Sequence, residues 1–165
     1  MIPRIAQAAG NPPRPPETVA QARRQRPNST RLYFHRTGLP GVWLIEPSPA
    51  YDGRGFFMRT YCSREFQEYS LVTSFVQHST SHSVLKGTLR GMHFQRPPHE
   101  EVKVVACQKG AIWDVIIDLR PSSPTFMRWE CFPLTAENRH QLYIPEGVAH
   151  GFQTAAVQAD VSQAV

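Results

Sequence analysis

Arg90 and His93 lie three residues apart in the stretch Gly87-Thr-Leu-Arg-Gly-Met-His93-Phe-Gln95, and Lys103 follows after a Pro97-Pro98 break. An imidazole titrates near neutrality, so His93 suits a general base. Lys103 is a compact point charge of the kind that can hold a developing oxyanion. Guanidinium forks match phosphate oxygens, and Arg90 and Arg54 supply two of them. A second histidine, His150, follows Pro145-x-Gly147. Other readings of these residues stay open at this level. His93, Glu101 and His150 could ligate a metal, either histidine could satisfy core hydrogen bonds, and Lys103 could be a solvated strand charge.

These side chains need elements to position them. Val102 to Cys107 and Ala111 to Asp118 are β-rich runs joined at Lys109-Gly110, which reads as a hairpin, and Arg, His and Lys on neighbouring strands would then share one concave face. Further strands are expected at Leu32–His35, Val42–Glu46, Phe56–Tyr61, Val72–His78, Phe126–Phe132, Gln141–Ile144 and His150–Thr154. Ser79 to Ser83 reads as a polar loop. One short helix, Arg64 to Tyr69, is expected with Ser63 as its cap and Glu65 in its first turn. Many short strands between Gly/Pro/Asn/Ser turns predict an all-β sandwich or barrel, with neither an internal repeat nor a second domain.

At 165 residues the chain is long enough for one domain with a real core. Residues 1–30 carry Arg4, Arg14, Arg23, Arg24 and Arg26 against Glu17, so most of the net charge of +5 belongs to this segment. Its Pro, Ala, Gln and Arg content predicts a disordered extension, leaving the domain at 31–165. No aromatic interleaving or nucleic-acid motif accompanies the basic residues, so no nucleic-acid partner is expected. No apolar run reaches membrane-spanning length, and a cytoplasmic protein without a membrane partner is the default. Cys62, Cys107 and Cys131 lack metal spacing. Two of them fall in expected strands, which favours buried, reduced thiols.

The segments Gly87-x5-His93-x-Gln95 and Pro145-x-Gly147-x2-His150 resemble the two motifs of the cupins, small jelly-roll barrels with the pocket inside the barrel mouth. Gln95 stands where metal-binding cupins carry a second histidine, and an amide is a poor ligand for a transition metal. A closer resemblance covers residues 40 to about 154. Asp52-Gly-Arg54-Gly55-Phe56-Phe57, Phe75-Val76-Gln77, Leu89-Arg90-Gly91-Met92-His93-Phe94-Gln95 and Lys103-Val104-Val105 resemble the dTDP-4-dehydrorhamnose 3,5-epimerase family. So do Asp114-Val115, Asp118-Leu119-Arg120-x2-Ser123-Pro124-Thr125-Phe126 and Ile144-Pro145-x-Gly147-x-Ala149-His150-Gly151-Phe152.

The resemblance implies a cupin jelly roll with one or two short helices that epimerises a dTDP-linked 4-keto-6-deoxy sugar in rhamnose biosynthesis. A ketone acidifies the C–H bonds on either side of it. Removing such a proton and returning one to the opposite face requires a base, a group to hold the enolate oxygen and a donor across the ring. It requires no metal or redox cofactor in principle, and none is expected. By resemblance His93 is the base and Lys103 contacts the keto oxygen, while Arg54, Phe57, Gln77, Arg90 and His150 bind substrate. Relatives pair through edge strands, which implies a homodimer. The alternatives are a catalytically weak sugar-nucleotide-binding homologue and a metal-dependent cupin.

Four positions depart from the family pattern. Arg59 stands where a glutamate is usual, and Ser79 where an asparagine is usual. Counting on from His150, Gln163 stands at the proton-donating tyrosine. The aspartate that pairs with the catalytic histidine would fall past Val165, so the chain is expected to be shorter than its relatives at this end.

Overall fold

Alternation along the strands builds two walls around one interior. The computed structural model describes residues 30–165, and the N-terminal extension lies outside them. All strand pairs among these residues are antiparallel. The six-stranded sheet comprises β1 (Leu32–Arg36), β2 (Trp43–Pro47), β10 (Gln141–Ile144), β7 (Lys103–Lys109), β12 (Ala159–Ala164) and β5 (His78–Ser83), in that spatial order. The four-stranded sheet runs β6 (Leu89–His93), β11 (Val148–Thr154), β8 (Ala111–Asp118) and β9 (Trp129–Thr135). A small hairpin, β3 (Ala50–Asp52) with β4 (Gly55–Phe57), stands apart from both.

Val105, Cys107, Leu142, Ile144 and Val161 from the larger sheet meet Ile112, Ile116, Leu134, Val148 and Phe152 from the smaller one in the main core. The larger sheet is buried on its other face too. There Trp43, Ile45, Tyr143 and Val104 pack beneath Phe66 of α1 (Ser63–Glu68), with Phe34 and Phe75 alongside. Phe66 has no exposed surface and meets Phe34, Tyr61, Phe75 and Tyr143 edge-on. Edge-on aromatic pairs add to the stabilisation from burial.

Several local expectations change. The runs around Gly110 do not pair as a hairpin, because β7 joins the six-stranded sheet and β8 the four-stranded one. Gly110 is the corner: its φ is +75°, and a Cβ there would lie 2.9 Å from the Gln158 carbonyl oxygen. Only glycine adopts such a conformation without cost in so tight a space. The expected polar loop at 79–83 is strand β5, paired along its length with β12, a strand the sequence reading did not anticipate. The expected strand at 72–78 is irregular up to Gln77, because Phe75 is used to cover the second core. Cys62, not Ser63, occupies the helix N-cap, and it makes no side-chain cap bond. Cys107 is buried, and burial pushes its thiol up to about 11, whereas Cys131 on β9 is exposed.

Asp118, at the end of β8, organises the loop that follows. It is fully buried. One carboxylate oxygen accepts the Arg120 backbone N–H and Nε, at 3.0 and 2.9 Å. The other accepts Arg120 Nη2, Ser123 Oγ and Thr125 Oγ1, at 2.8, 2.5 and 2.6 Å. Burial opposes ionisation, but these donors outweigh it and hold the carboxyl well below the usual carboxylate range. A depressed native pKa stabilises the fold above the unfolded value near ~3.9 and ceases to do so as pH falls. Asp118→Ala is therefore expected to cost about 3 kcal/mol at pH 7 in denaturant unfolding, since it removes the shared acceptor of the half-buried Arg120 guanidinium and of the Ser123 and Thr125 hydroxyls. The gap between variant and parent should narrow at pH 3; a gap independent of pH contradicts this account.

Candidate active site

His93 and His150 sit side by side on the four-stranded sheet, His93 exposed on the edge strand and His150 buried beside it. They are register partners on β6 and β11, with ring centroids 6.3 Å apart. The approach of these two strands depends on a pair of glycines, since a Cβ on Gly91 would lie 2.5 Å from Gly151 Cα. The pairing shifts register between His150 and Phe152, so Arg90 faces Phe152 and lies on the same side as His93. Arg90 then spans the seam between the sheets, donating from Nε to Ser83 Oγ at 3.1 Å and from Nη2 to the His82 carbonyl at 3.0 Å.

Lys103 comes from the opposite wall. It lies on the face of β7 that carries Val105 and Cys107 and is 3 % exposed. Its ammonium is paired with Glu101. Burial lowers the pKa of Lys103, which makes its ammonium a readier partner for a developing oxyanion. His93 and Lys103 therefore do not share one concave strand face, as the sequence suggested. They occupy opposed sheets, His93 exposed on the edge strand β6 and Lys103 almost fully buried on β7.

Behind His150 stands a residue the sequence reading did not single out for chemistry. Asp114 on β8 is fully buried, and its Oδ2 lies 3.4 Å from His150 Nδ1. Burial pushes its carboxyl up, and the bond from His150 opposes the shift. The signal was present in the strand itself, since Asp114 interrupts the inward row Ile112, Ile116. Glu101 was noticed only as a possible metal ligand. It is committed to Lys103, and no cluster of three or more His, Cys, Asp or Glu suited to a metal occurs among the described residues.

Gln77 sits at the rim, where its backbone exchanges two 3.0 Å hydrogen bonds with Val165 and extends the β5–β12 ladder. Gln163 pairs with Ser79 and Val105. By alternation from the core residue Val161 it points into the interior, the side on which a proton donor would stand. Tyr143 does not, because its side chain belongs to the second core and its hydroxyl accepts the Val72 N–H at 3.2 Å.

Arg54 and Phe57 are not brought to His93 within one chain. They lie on the β3–β4 hairpin, where the Arg54 side chain is 91 % exposed and pairs with Asp52 at 2.6 Å. Phe57 is 73 % exposed. The neighbouring Phe56 borders a cleft with Ala106, Gln108 and Gln141 and receives Arg139 over its ring at 4.4 Å. That cleft lies on the face of the six-stranded sheet away from Val105, so the hairpin belongs to the outer layer. Arg59 lies in this layer as well. Its guanidinium pairs with Glu65, whose other oxygen accepts the Leu32 N–H at 2.7 Å, so its charge is already neutralised.

The sequence pattern of the dTDP-4-dehydrorhamnose 3,5-epimerases matches residues 36–165, extending past the last motif noted above. The chain is 44 % identical over 126 residues to dTDP-4-dehydrorhamnose 3,5-epimerase of Shigella flexneri, covering 76 % of this chain and 69 % of that one. The crystal structure of the Bacillus anthracis enzyme of that name, with TDP and PPi bound, superposes with a TM-score of 0.79 at 39 % identity. The match covers 81 % of this chain and 77 % of that one. The Legionella pneumophila dTDP-6-deoxy-D-glucose-3,5-epimerase, in complex with dTDP-4-keto-L-rhamnose, gives a TM-score of 0.76 at 36 % identity over 81 % and 71 % of the two chains.

Proposed function

Since the chain belongs to the dTDP-4-dehydrorhamnose 3,5-epimerase family, we propose that it epimerises a dTDP-linked 4-keto-6-deoxy sugar by proton transfer beside the ketone. The observation that carries this reading is the placement of His93 and Lys103 on the two different sheets of one jelly roll, beside His150 and Glu101 respectively. His93 takes a proton from the carbon next to the carbonyl. The electron pair moves onto the ketone oxygen as an enolate, which Lys103 stabilises. Protonation of the same carbon from the other side completes the inversion. Arg90 lies beside His93 and suits the diphosphate, Gln77 suits the rim of the site, and His150 suits a sugar hydroxyl.

The exposure of Arg54 and Phe57 supports a homodimer in which the β3–β4 hairpin serves the pocket of a second copy. The smaller sheet adds to this reading. Its edge strand β6 is unpaired on one side, and Leu89, Met92, Trp113 and Trp129 are exposed on the sheet. An exposed edge and apolar face of this kind call for a cover. No helix among the described residues is long and apolar enough to cross a membrane.

Incubation with dTDP-4-keto-6-deoxyglucose in D₂O, followed by NMR, tests the activity. Deuterium is expected at one or both carbons flanking the ketone, and its absence from both over hours at micromolar enzyme overturns the proposal. Sedimentation of the same sample reads the assembly state, with a dimer expected.

A further inference from the structure

Asp114 has no evident reason to be a carboxylate on packing grounds. It sits on the central strand β8 between Ile112 and Ile116, which are 1 % and 0 % exposed. An apolar side chain would satisfy that position, and a buried acid is disfavoured unless its oxygens are bonded. One oxygen is not, since Asp114 Oδ1 is buried without a hydrogen-bond partner. The other lies 3.4 Å from His150 Nδ1, and His150 is itself 3 % exposed.

We propose that Asp114 is a positioning residue that fixes His150 in the tautomer protonated on Nδ1, leaving Nε2 as a bare acceptor facing the cleft beside His93. In the ionised form that the His150 bond favours, the carboxylate only accepts, which puts the shared proton on Nδ1; a protonated carboxyl would donate to a bare Nδ1, and the spectra below distinguish the two. The state of one imidazole nitrogen is set by the bond the other makes. With Nδ1 held towards β8, Nε2 is the ring nitrogen left free of that bond, with the His93 ring 6.3 Å away across the strand pair. A bare Nε2 accepts a hydrogen bond from a sugar hydroxyl, whereas the opposite tautomer would present an N–H there. The titratable groups recorded beside the pair are His93 on β6 and Cys131 on β9.

The kinetic consequence rests on the epimerase reading, but the tautomer does not. Long-range ¹H–¹⁵N correlation spectra of the substrate-free full chain, uniformly ¹⁵N-labelled, report which ring nitrogen carries the proton. For His150 the expected pattern is a protonated Nδ1 and a bare Nε2, lost or reversed in Asp114→Asn. A parent spectrum with the proton on Nε2 overturns the proposal, and so does an unchanged pattern in the variant. If Asp114→Asn does not fold, the parent spectrum alone decides. In the exchange assay Asp114→Asn should lower kcat by about 10–100-fold with KM within about threefold, as for other residues that orient an imidazole. Its unfolding temperature should not drop. A lowered unfolding temperature with kcat intact marks Asp114 as structural and overturns the proposal. Absence of proton exchange in the parent counts against the epimerase reading, while the tautomer spectrum still tests this one.

Discussion

His93→Asn is expected to abolish exchange of the sugar-ring protons with solvent while nucleotide binding survives. His93 lies opposite His150 on the neighbouring strand, exposed, with Arg90 on the same side of β6. A general base contributes on the order of 10²–10⁴-fold, so exchange at both carbons should fall by at least about 10². Asparagine is close in size and polar, and the Arg90 bonds to Ser83 and the His82 carbonyl do not involve His93. The affinity for dTDP should therefore stay within about threefold by calorimetry. A variant that exchanges protons as fast as the parent removes His93 from the role of base. Lost exchange together with lost dTDP binding points instead to a collapsed site.

The second large effect concerns the donor on the far face. The parent chain is expected to wash deuterium into its substrate faster than it inverts either centre. A base alone makes the enolate, but without a donor opposite it tends to return the proton to the face it came from. Gln163 points into the interior from β12, level with Val105 and Ser79, and an amide is no proton donor of this kind. Tyr143 is turned to the other face of the six-stranded sheet, under Phe66. Gln163→Tyr should therefore raise the ratio of inversion to exchange by about 10²-fold, because it restores an acid on the wall opposite His93. NMR of C3 and C5 in D₂O gives both rates from one sample. Efficient inversion by the parent at both carbons, with exchange no faster, would show that another side chain acts as donor.

Residue pattern and motif order were enough for the class of fold, the family chemistry and a set of candidate participants. Short alternating runs with Gly and Pro between them permit few outcomes other than antiparallel sheets. The side chains of Arg90, His93 and Lys103 limit the chemistry, because an imidazole nitrogen, an ammonium and a planar guanidinium fork keep their bonding capabilities wherever the fold puts them. The ordered motifs from Arg54 to Phe152 supplied the family. Pairing was harder to read. A glycine corner between two β-rich runs looks alike whether the chain turns back on itself or crosses to another sheet, and only the partners available to β7 and β8 decide between them. That choice placed His93 and Lys103 on facing walls. The strand at 78–83 was similarly hidden, because its Ser, Thr and His residues lack an apolar stripe and β12 supplies its ladder from a distant part of the chain. Tertiary structure alone separated Arg54 and Phe57 from the pocket they were expected to line, and it alone placed Asp114 behind His150. Both results follow from contacts between residues far apart in sequence, to which local propensity and motif spacing are blind.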